Sequence, residues 1–382
     1  MKKTMLCLLI VLMSGCSLGR QESDDNVIND SIWGYDFNED EYFGAFSSMK
    51  SMTISNSGIY YKMSVSDGEG LDHETGSLIG YLPHGSDQAT IVNANVSTSC
   101  SSNNPKGCTS YFKTGFRNLK FYNNKLYVTI EEFDDNSFTK SMVLVEMDLD
   151  GNNRKTVAVL AEKVPSSYNF TMLYHRGKIY YSFGESAQIL YQLDMQNWEI
   201  SEITFDYPIS NLELVSADDQ TITLYASTYD LYPNPILYLD IETNEIVVDD
   251  INLPLFTHQK DSYLYFDYDH NAMHLYSKKT NQSTKLQDHT GTAIVKGDAI
   301  IIFSLPGGST DLNIHSVTLY DLEGNLLDYY DTDKGFIYGF VQLLYKDSVF
   351  GYRYVEDEVE LIRFKITDRK LGDLHVIDSW KG

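Results

Sequence analysis

The chain has 382 residues, 42% of them hydrophobic and 13% aromatic, so it is long enough to bury a large core. With 29 basic and 54 acidic residues its formal net charge is −25, which repels nucleic acid and anionic lipid headgroups and argues against both as partners of the folded domain. Beyond the N-terminus no run approaches the roughly 18 apolar residues that a membrane-spanning helix needs.

The N-terminus reads MKKTMLCLLIVLMSGC and has the three parts of a secretory signal. Lys2 and Lys3 are positive, Met5 to Met13 are mostly apolar, and small residues precede Cys16. The stretch from Leu12 to Cys16 resembles the lipobox of bacterial lipoproteins. This resemblance implies that residues 1–15 are a signal peptide and that Cys16 carries acyl chains, which would anchor the protein to a membrane on the side facing away from the cytoplasm. The alternative is an ordinary secretory signal with an incidental cysteine.

The segment that follows the signal is polar and acidic. Residues 16–32 have no periodic pattern, which predicts a tether between the lipid and a domain over 33–382. The next stretch, Ile32 to Phe46, is aromatic enough to dock on that domain. We expect it to complete a sheet from the other end of the chain, because an incomplete ring of sheets exposes an open edge.

A short unit then recurs seven times, with a turn dipeptide followed by an alternating strand rich in Tyr, Ile, Val and Phe. The seven dipeptides are Ser57-Gly58, Asn123-Asn124, Arg176-Gly177, Asp218-Asp219, Lys260-Asp261, Lys296-Gly297 and Lys346-Asp347. Gly, Asn and Asp tolerate the positive φ of tight hairpin turns. Each unit is followed by a second hairpin. Strand-only repeats with a period of roughly 35–65 residues predict an all-β fold, a single β-propeller.

The two series of hairpins pair into seven four-stranded blades. Their expected limits are about 43–96, 110–162, 166–207, 208–251, 252–288, 289–332 and 333–379. Rings of six and of eight blades also fit, because the first unit diverges most from the others.

Long insertions interrupt the repeats at 65–76, 93–112, 132–140, 227–235 and 305–313. Some join the second and third strands of a blade, and 93–112 joins two blades. Both kinds of connection leave a propeller on the same face, so the sequence predicts one loop-rich face, where binding tends to occur. Tyr229 and Tyr232 lie in an insertion with two prolines and are our predicted binding anchors, since large aromatic side chains dominate interfaces. An ordinary packed loop is the alternative.

Cys100 and Cys108 bracket a short polar loop. An even pair of cysteines in an extracytoplasmic chain predicts a disulfide. Two free thiols, or half of a metal site, are the alternatives.

Two stretches have some features of metal sites. Asp148 to Asn153 is rich in calcium-type ligands, but Gly151 is fourth rather than sixth, so we expect a hairpin turn. His270 and His274 have a zinc spacing for a helix, but their surroundings alternate as strands do, so we expect surface histidines. The sequence thus predicts no cofactor and no metal site, with Ca²⁺ as an alternative supported by the acidic excess.

The units NNKLYVTIE…LVEMDLDGNNRKTV and RGKIYYSFG…ILYQLDMQNWEI, together with the lipobox, resemble bacterial lipoproteins that carry a TolB-like or low-density-lipoprotein-receptor-type β-propeller of unknown function. The resemblance covers roughly residues 43–379 and implies strands and turns but no catalytic residues.

The sequence has no G-x-S-x-G elbow, P-loop or G-x-G-x-x-G, and we predict no catalytic residue. Our hypothesis is a lipid-anchored extracytoplasmic binding or scaffold protein, which engages a protein, peptide or glycan through the loop-rich face. The alternative is a glycan-active hydrolase or lyase that uses carboxylates in the central channel. A propeller fold hosts both, so the fold alone does not choose between them.

Overall fold

The computed structural model describes most of the chain beyond residue 50. The described residues are 51–66, 75–95, 100–134, 139–164, 170–183, 189–205, 209, 211–217, 220–227, 235–249, 255–259, 262–267, 269–288, 291–296, 299–304, 316–331, 341–345, 347–355 and 358–381. Over these ranges the secondary structure is almost entirely β, with one turn of 3₁₀ helix at Pro105–Gly107. None of the described segments forms a helix long and apolar enough to cross a membrane.

The strands form seven antiparallel sheets of four, each built from consecutive strands. Blade 1 contains β1 (Met52–Ile54), β2 (Gly58–Ser66), β3 (Thr75–Pro83) and β4 (Thr90–Ile91). Blade 2 contains β5 (Arg117–Tyr122), β6 (Lys125–Asp134), β7 (Thr139–Met147) and β8 (Lys155–Ala161). Blade 3 contains β9 (Phe170–His175), β10 (Lys178–Phe183), β11 (Ile189–Asp194) and β12 (Ile200–Thr204).

Blade 4 contains β13 (Asn211–Ala217), β14 (Thr221–Ser227), β15 (Ile236–Asp240) and β16 (Ile246–Asp249). Blade 5 contains β17 (Leu255–Gln259), β18 (Ser262–Asp267), β19 (Ala272–Ser277) and β20 (Gln282–Asp288). Blade 6 contains β21 (Gly291–Lys296), β22 (Ala299–Ser304), β23 (Ser316–Asp321) and β24 (Leu326–Asp331). Blade 7 contains β25 (Val341–Tyr345), β26 (Ser348–Val355), β27 (Glu358–Thr367) and β28 (Lys370–Lys381).

The first strands of neighbouring blades lie against one another around the ring, so the first strand is innermost and the fourth forms the outer edge. The prediction of an all-β, seven-bladed propeller is therefore confirmed. In blades 1 to 3 the predicted turn dipeptides Ser57-Gly58, Asn123-Asn124 and Arg176-Gly177 fall at the junction of the first and second strands, and the other four dipeptides lie wholly or partly outside the described residues. Asn123, Asn124 and Arg176 have φ of 46°, 58° and 49°, the left-handed conformation that tight turns require.

The ring closes between blade 7 and blade 1 through side chains. The Tyr61 hydroxyl donates to Asp378 Oδ2 at 2.6 Å, and the Tyr352 hydroxyl donates to the Lys62 carbonyl at 2.8 Å. Trp380 packs 6.0 Å from the Tyr61 ring. The aromatic segment 32–46, which we expected to complete a sheet, lies outside the described residues, and blades 1 and 7 each have four strands without it.

The core lies between the faces of adjacent blades. One continuous cluster joins blades 7, 1 and 2, and smaller clusters fill the spaces between the other blades. In blade 1 the buried Tyr61 ring lies across Gly80 on the neighbouring strand, where a Cβ atom would be 2.1 Å from Tyr61 Cζ. Glycine is therefore needed at this position because the aromatic ring occupies its side-chain space.

Candidate functional site

The two faces of the ring follow from the strand directions. Second-to-third strand connections leave on one face, here called the upper face, and the first-to-second and third-to-fourth turns leave on the lower face. The insertions at 65–76, 132–140, 227–235 and 305–313 fall between the second and third strands of blades 1, 2, 4 and 6. The strand ends that they join therefore lie on the upper face, as predicted.

Three blades in a row are taller than the rest on this face. In blades 1, 2 and 7 the second and third strands keep pairing after the first strand has ended. The uppermost first-to-second pairs are Met52↔Tyr61, Arg117↔Thr129 and Val341↔Gly351. The uppermost second-to-third pairs are Ser66↔Thr75, Asp134↔Thr139 and Val355↔Glu358. These hairpins therefore extend four or five residues, roughly 14–17 Å at about 3.4 Å each, above the start of their own first strands. Their second strands have 9, 10 and 8 residues, against 6 or 7 in the other blades.

In the described residues of the other four blades this extension is absent or shorter. In blades 3, 4 and 6 the first strand pairs with the upper end of the second strand, as Phe170↔Phe183, Asn211↔Ser227 and Gly291↔Ser304. In blade 5 the second strand ends at Asp267, two residues above the pair Leu255↔Tyr265. We call the upper parts of the hairpins β2–β3, β6–β7 and β26–β27 the raised wall. The wall follows one side of the ring mouth.

Aromatic side chains are exposed on the raised wall. Phe133 of β6 is 53% exposed and Tyr354 of β26 is 46% exposed, and Val355 lies next to Tyr354. The other exposed large hydrophobic residues of the described chain lie on fourth strands, at the outer edges of the blades. Phe133 and Tyr354 thus place apolar surface on the upper face, at either side of blade 1.

A lysine lies at the foot of the wall. Lys62 is in β2 at the level where the first strand begins, since its backbone N–H donates to the Ser51 carbonyl at 2.7 Å. Its Nζ lies 5.5 Å from the centre of the Phe116 ring. Burial, and secondarily the positive charge of Arg117, lowers the pKa of Lys62 to about 8. Within the described chain, the Lys62 ammonium has no carboxylate partner.

The neighbouring cations share one carboxylate. Arg117 Nη2 lies 2.9 Å from Glu131 Oε1, and Lys140 Nζ lies 3.1 Å from Glu131 Oε2. Lys62 adds a third cation to Arg117 and Lys140 in this part of the upper face.

Several predicted site residues lie outside the described residues. These are Cys16, the proposed lipid attachment point, and Tyr229 and Tyr232, the proposed binding anchors. The strands on either side of the two tyrosines end at Ser227 and begin at Ile236, both on the upper face. The roles of all three residues stay predictions.

Cys100 and Cys108 form a disulfide with Cα atoms 4.9 Å apart, as the pairing prediction requires. The insertion around them departs from our expectation in part, because Phe112 pairs with Ser77 of the raised wall whereas Thr109 reaches a lower turn of blade 2. Phe112 bridges to Ser77 at the outer edge of blade 1, and the Thr109 hydroxyl donates to the Asp150 carbonyl at 2.8 Å.

Asp150 belongs to a third-to-fourth strand turn, which is on the lower face. The Arg154 guanidinium of the same hairpin donates to the Tyr111 carbonyl at 2.7 Å and stacks on the Phe112 ring. The physical reason for the departure is that β4 has only two residues. The linker therefore leaves the sheet early and packs along the rim of blades 1 and 2.

The metal-like stretches do not form a site in the described residues, where no group of three potential metal ligands occurs. Asp148 pairs with Lys125 and accepts from Asn153 Nδ2 at 2.6 Å, as expected for a hairpin turn. His270 is exposed and lies 2.6 Å from Asp267, as predicted.

His274 is a correction to the prediction of two surface histidines. It is half-buried, and its ring stacks on Tyr265 with 5.3 Å between the ring centres. The cause is the strand register, which places His274 directly opposite Tyr265 on the same side of the sheet. Burial lowers the pKa of His274, so the neutral ring is favoured.

The sequence reasoning missed Lys62 and Arg117. The available signal was Lys62 itself, a lysine within the otherwise apolar or uncharged strand GIYYKMSVS. Nothing in that strand indicates that Arg117 and Phe116, from the next blade, lie beside it.

No protein-family model and no curated protein sequence matches the chain. Among solved structures it is similar to a Mycobacterium tuberculosis puromycin-hydrolyzing peptidase, with 11% identity, a TM-score of 0.51 and 89% of this chain covered. The chain spans 56% of that peptidase's length.

Two further similar structures have lower TM-scores. The β-propeller domain of the Trilobed protease from Pyrococcus furiosus has 12% identity and a TM-score of 0.43, with 68% of this chain and 82% of that one covered. Kluyvelomyces marxianus Hsv2 has 10% identity and a TM-score of 0.39, with 68% and 95% covered. At these identities a likeness concerns the fold alone, and the ring of seven four-stranded sheets makes the chain a β-propeller.

Proposed function

We propose that the protein is an extracytoplasmic binding protein, anchored by lipid on Cys16, that holds a protein, peptide or glycan partner on the upper face against the raised wall. The observation that carries the proposal is the height of blades 7, 1 and 2. Strand pairing continues four or five residues above the start of the first strand there, and the hairpins of blades 2 and 7 carry the exposed aromatic residues Phe133 and Tyr354 near their tips. Exposed apolar surface of this kind marks an interaction site, because a partner that covers it removes that surface from water.

The side chains of the wall suit contact with a partner. Exposed aromatic residues supply large contact area at a low cost in conformational entropy, and they dominate binding energy when a partner buries them. Phe133 and Tyr354 are such residues, and they lie on rigid paired strands. A partner that contacts both would cover the mouth next to Lys62.

The alternative, a glycan-active hydrolase, needs a carboxylic acid whose pKa is raised so that it can donate a proton near neutral pH. The clear carboxyl shifts in the described part of the chain go in the opposite direction. Hydrogen bonds lower the pKa values of Asp148, Asp240 and Asp267, starting with those from Lys125, the Thr243 backbone and His270. These carboxylates are bound into turns, which favours the binding function over the hydrolase.

The proposal is tested with a double variant of the full-length protein, Phe133→Ser with Tyr354→Ser. The matched control is Val247→Ser with Leu326→Ser, two residues that are each 61% exposed but lie on the outer strands of blades 4 and 6. Partners are captured from envelope extracts, identified by mass spectrometry and measured by Kd. We expect the wall variant to bind at least tenfold more weakly, about 1.4 kcal/mol, with an unchanged Tm. Equal losses in both variants, or none in the wall variant, would refute the wall as the binding surface.

Tyr229 and Tyr232 test how far the site extends across the mouth. Replacing both with Ala is expected to weaken partner capture about tenfold, roughly 1.4 kcal/mol, while thermal stability stays nearly unchanged. A variant that unfolds would show that the tyrosines belong to the core. Normal binding would restrict the site to the wall.

The anchor has its own test. Cys16→Ala is expected to release the protein from the membrane pellet or to stall its processing, since acyl chains at one residue supply the membrane affinity. Tight pelleting of the Cys16→Ala protein in high salt would mean that a protein partner, rather than lipid, holds it there.

A further inference from the structure

We propose that Lys62, beside Arg117, forms a carboxylate-binding subsite at the mouth of the upper face, which takes an acidic side chain of a peptide partner. The inference rests on the proposed function and names the chemistry that the same face would recognise. It adds a polar contact at the foot of the wall to the aromatic contacts higher up.

The first step is the fixed position of Lys62. Its N–H donates to the Ser51 carbonyl at 2.7 Å, and its own carbonyl accepts from the Tyr352 hydroxyl at 2.8 Å. Tyr352 is buried in the seam with blade 7. The Lys62 backbone is therefore held from the first strand of its own blade and from the neighbouring blade, while its side chain reaches Phe116 at the other neighbour.

The second step is the missing counterion. Lys125, Lys140, Lys155 and Lys285 each lie within ion-pair distance of a carboxylate. Lys62 is more buried than these exposed lysines, yet no carboxylate of the described residues pairs with it. Removing an ammonium from water without a partner is costly. In a chain with 54 acidic residues, an unpaired half-buried lysine is a position where a ligand can supply the missing charge.

The third step concerns the kind of anion. Glu131 pairs with Arg117 next to Lys62, and its negative charge would repel a dianionic phosphate about twice as strongly as a single carboxylate. Apolar surroundings also lie close by, with Phe116 beneath Lys62 and Phe133 on the adjoining hairpin. A peptide segment with an acidic residue next to apolar or aromatic residues matches this combination.

The test measures the reactivity of Lys62 in the full-length protein. The protein is treated with trace acetic anhydride at pH 8, and the acetylation of each lysine is followed by mass spectrometry. Lys278 serves as an internal control, because it is also half-buried but contacts the Tyr238 hydroxyl at 3.2 Å in another part of the ring. The probes are hexaglutamate, hexaglutamine, inorganic phosphate and an oligogalacturonate.

We expect hexaglutamate to slow the acetylation of Lys62 at least fivefold and to leave Lys278 unchanged, with hexaglutamine without effect. Equal protection by hexaglutamine, or no protection by hexaglutamate, would overturn the subsite. Protection by phosphate alone would overturn the carboxylate assignment, and protection by oligogalacturonate alone would replace the peptide with an acidic glycan.

Variants separate this subsite from the proposed function. Lys62→Arg is expected to retain hexaglutamate binding, and Lys62→Met to lose it at least tenfold while still folding. If Lys62→Met binds hexaglutamate normally while the Phe133/Tyr354 variant loses its partner, the subsite is wrong and the binding function stands. If the Phe133/Tyr354 variant keeps its partner, the wall fails whatever Lys62 does.

Discussion

Blades 7, 1 and 2 and blades 3 to 6 are built from the same four-stranded unit, yet among the residues that the structure describes the first group rises further above the mouth. Pairing between the second and third strands runs from Gly58 to Ser66 in blade 1, whereas it covers only Lys178 to Tyr181 in blade 3. The second strands of blades 1, 2 and 7 have 9, 10 and 8 residues, against 6 or 7 in blades 3 to 6. The repeated four-stranded unit thus determines the ring, whereas the length of the strands at the upper face varies from blade to blade.

The two groups also differ in how their blades are joined. One continuous apolar cluster links blades 7, 1 and 2, including the ring closure, whereas the other blades share smaller clusters. The tall hairpins of blades 2 and 7 carry exposed aromatic residues near their tips, so they need a firm base. We infer that the continuous core supplies that base, and the following experiments test the difference between the two halves.

The largest effect is expected from Gly80→Ala in blade 1. The added Cβ would lie 2.1 Å from Tyr61 Cζ, so the buried ring must move, and overpacking of this kind costs about 2–3 kcal/mol. Urea denaturation measures the free energy of unfolding. A loss below about 0.5 kcal/mol would show that the tyrosine can shift freely and that the base of the wall is not tightly packed.

A smaller effect is expected at the seam. Tyr61→Phe removes a hydrogen bond from the buried hydroxyl to Asp378 Oδ2, and a bond to a charged acceptor contributes about 1.5–3 kcal/mol. The matched change in blades 3 to 6 is Tyr265→Phe, which removes a 3.0 Å hydrogen bond to the neutral Ser283 hydroxyl within blade 5. We expect it to lower the free energy of unfolding by about 1 kcal/mol or less. Equal losses in urea denaturation would mean that the seam is no stronger than the interior of a single blade.

The smallest effect has the opposite sign. Lys62→Met is expected to stabilise the protein by about 1–2 kcal/mol at pH 7, because an apolar side chain replaces a half-buried ammonium. Burial lowers the pKa of Lys62 to about 8 in the folded state, from 10.5 for the exposed side chain. Between these values the unfolded chain binds more protons, so the stability of the natural protein rises with pH.

The advantage of Lys62→Met should therefore shrink as the pH is raised from 7 to 10. Denaturation of both proteins across this range gives the difference directly. A constant difference would show that the titration of Lys62 does not contribute to stability.

The ring could be predicted from the sequence because its signals are local. Alternating strands and turn pairs such as Asn123-Asn124 report burial and hairpin geometry within a few residues, and they placed seven blades correctly. The height of the wall left a weaker signal. Near the tip of the blade 2 hairpin the adjacent residues Glu132 and Phe133 are both exposed, so the alternation of buried and exposed residues fades there. The sequence reasoning therefore treated hairpin ends as loop insertions.

The candidate subsite could not be predicted because it depends on which blades pack together. Lys62 and Arg117 are 55 positions apart (117 minus 62) and meet only across two blades. The same reason explains His274, whose burial depends on Tyr265 of the neighbouring strand. Which side chains meet across neighbouring strands depends on the pairing register, and the sequence alone does not give that register when the strands have no distinctive residue pattern.

The position of Ser51 on the ring has a consequence for how a lipid-anchored form of the protein would be oriented at a membrane. Ser51 lies at the mouth, with its carbonyl bonded to the N–H of Lys62. With lipid on Cys16, the leash of residues 17–50, 34 in number, would be attached on the upper face and could extend at most about 120 Å. Under tension such a leash would turn the wall towards the bilayer and the lower face away from it. The partners within reach would then be molecules of the same envelope, rather than molecules arriving from the far side.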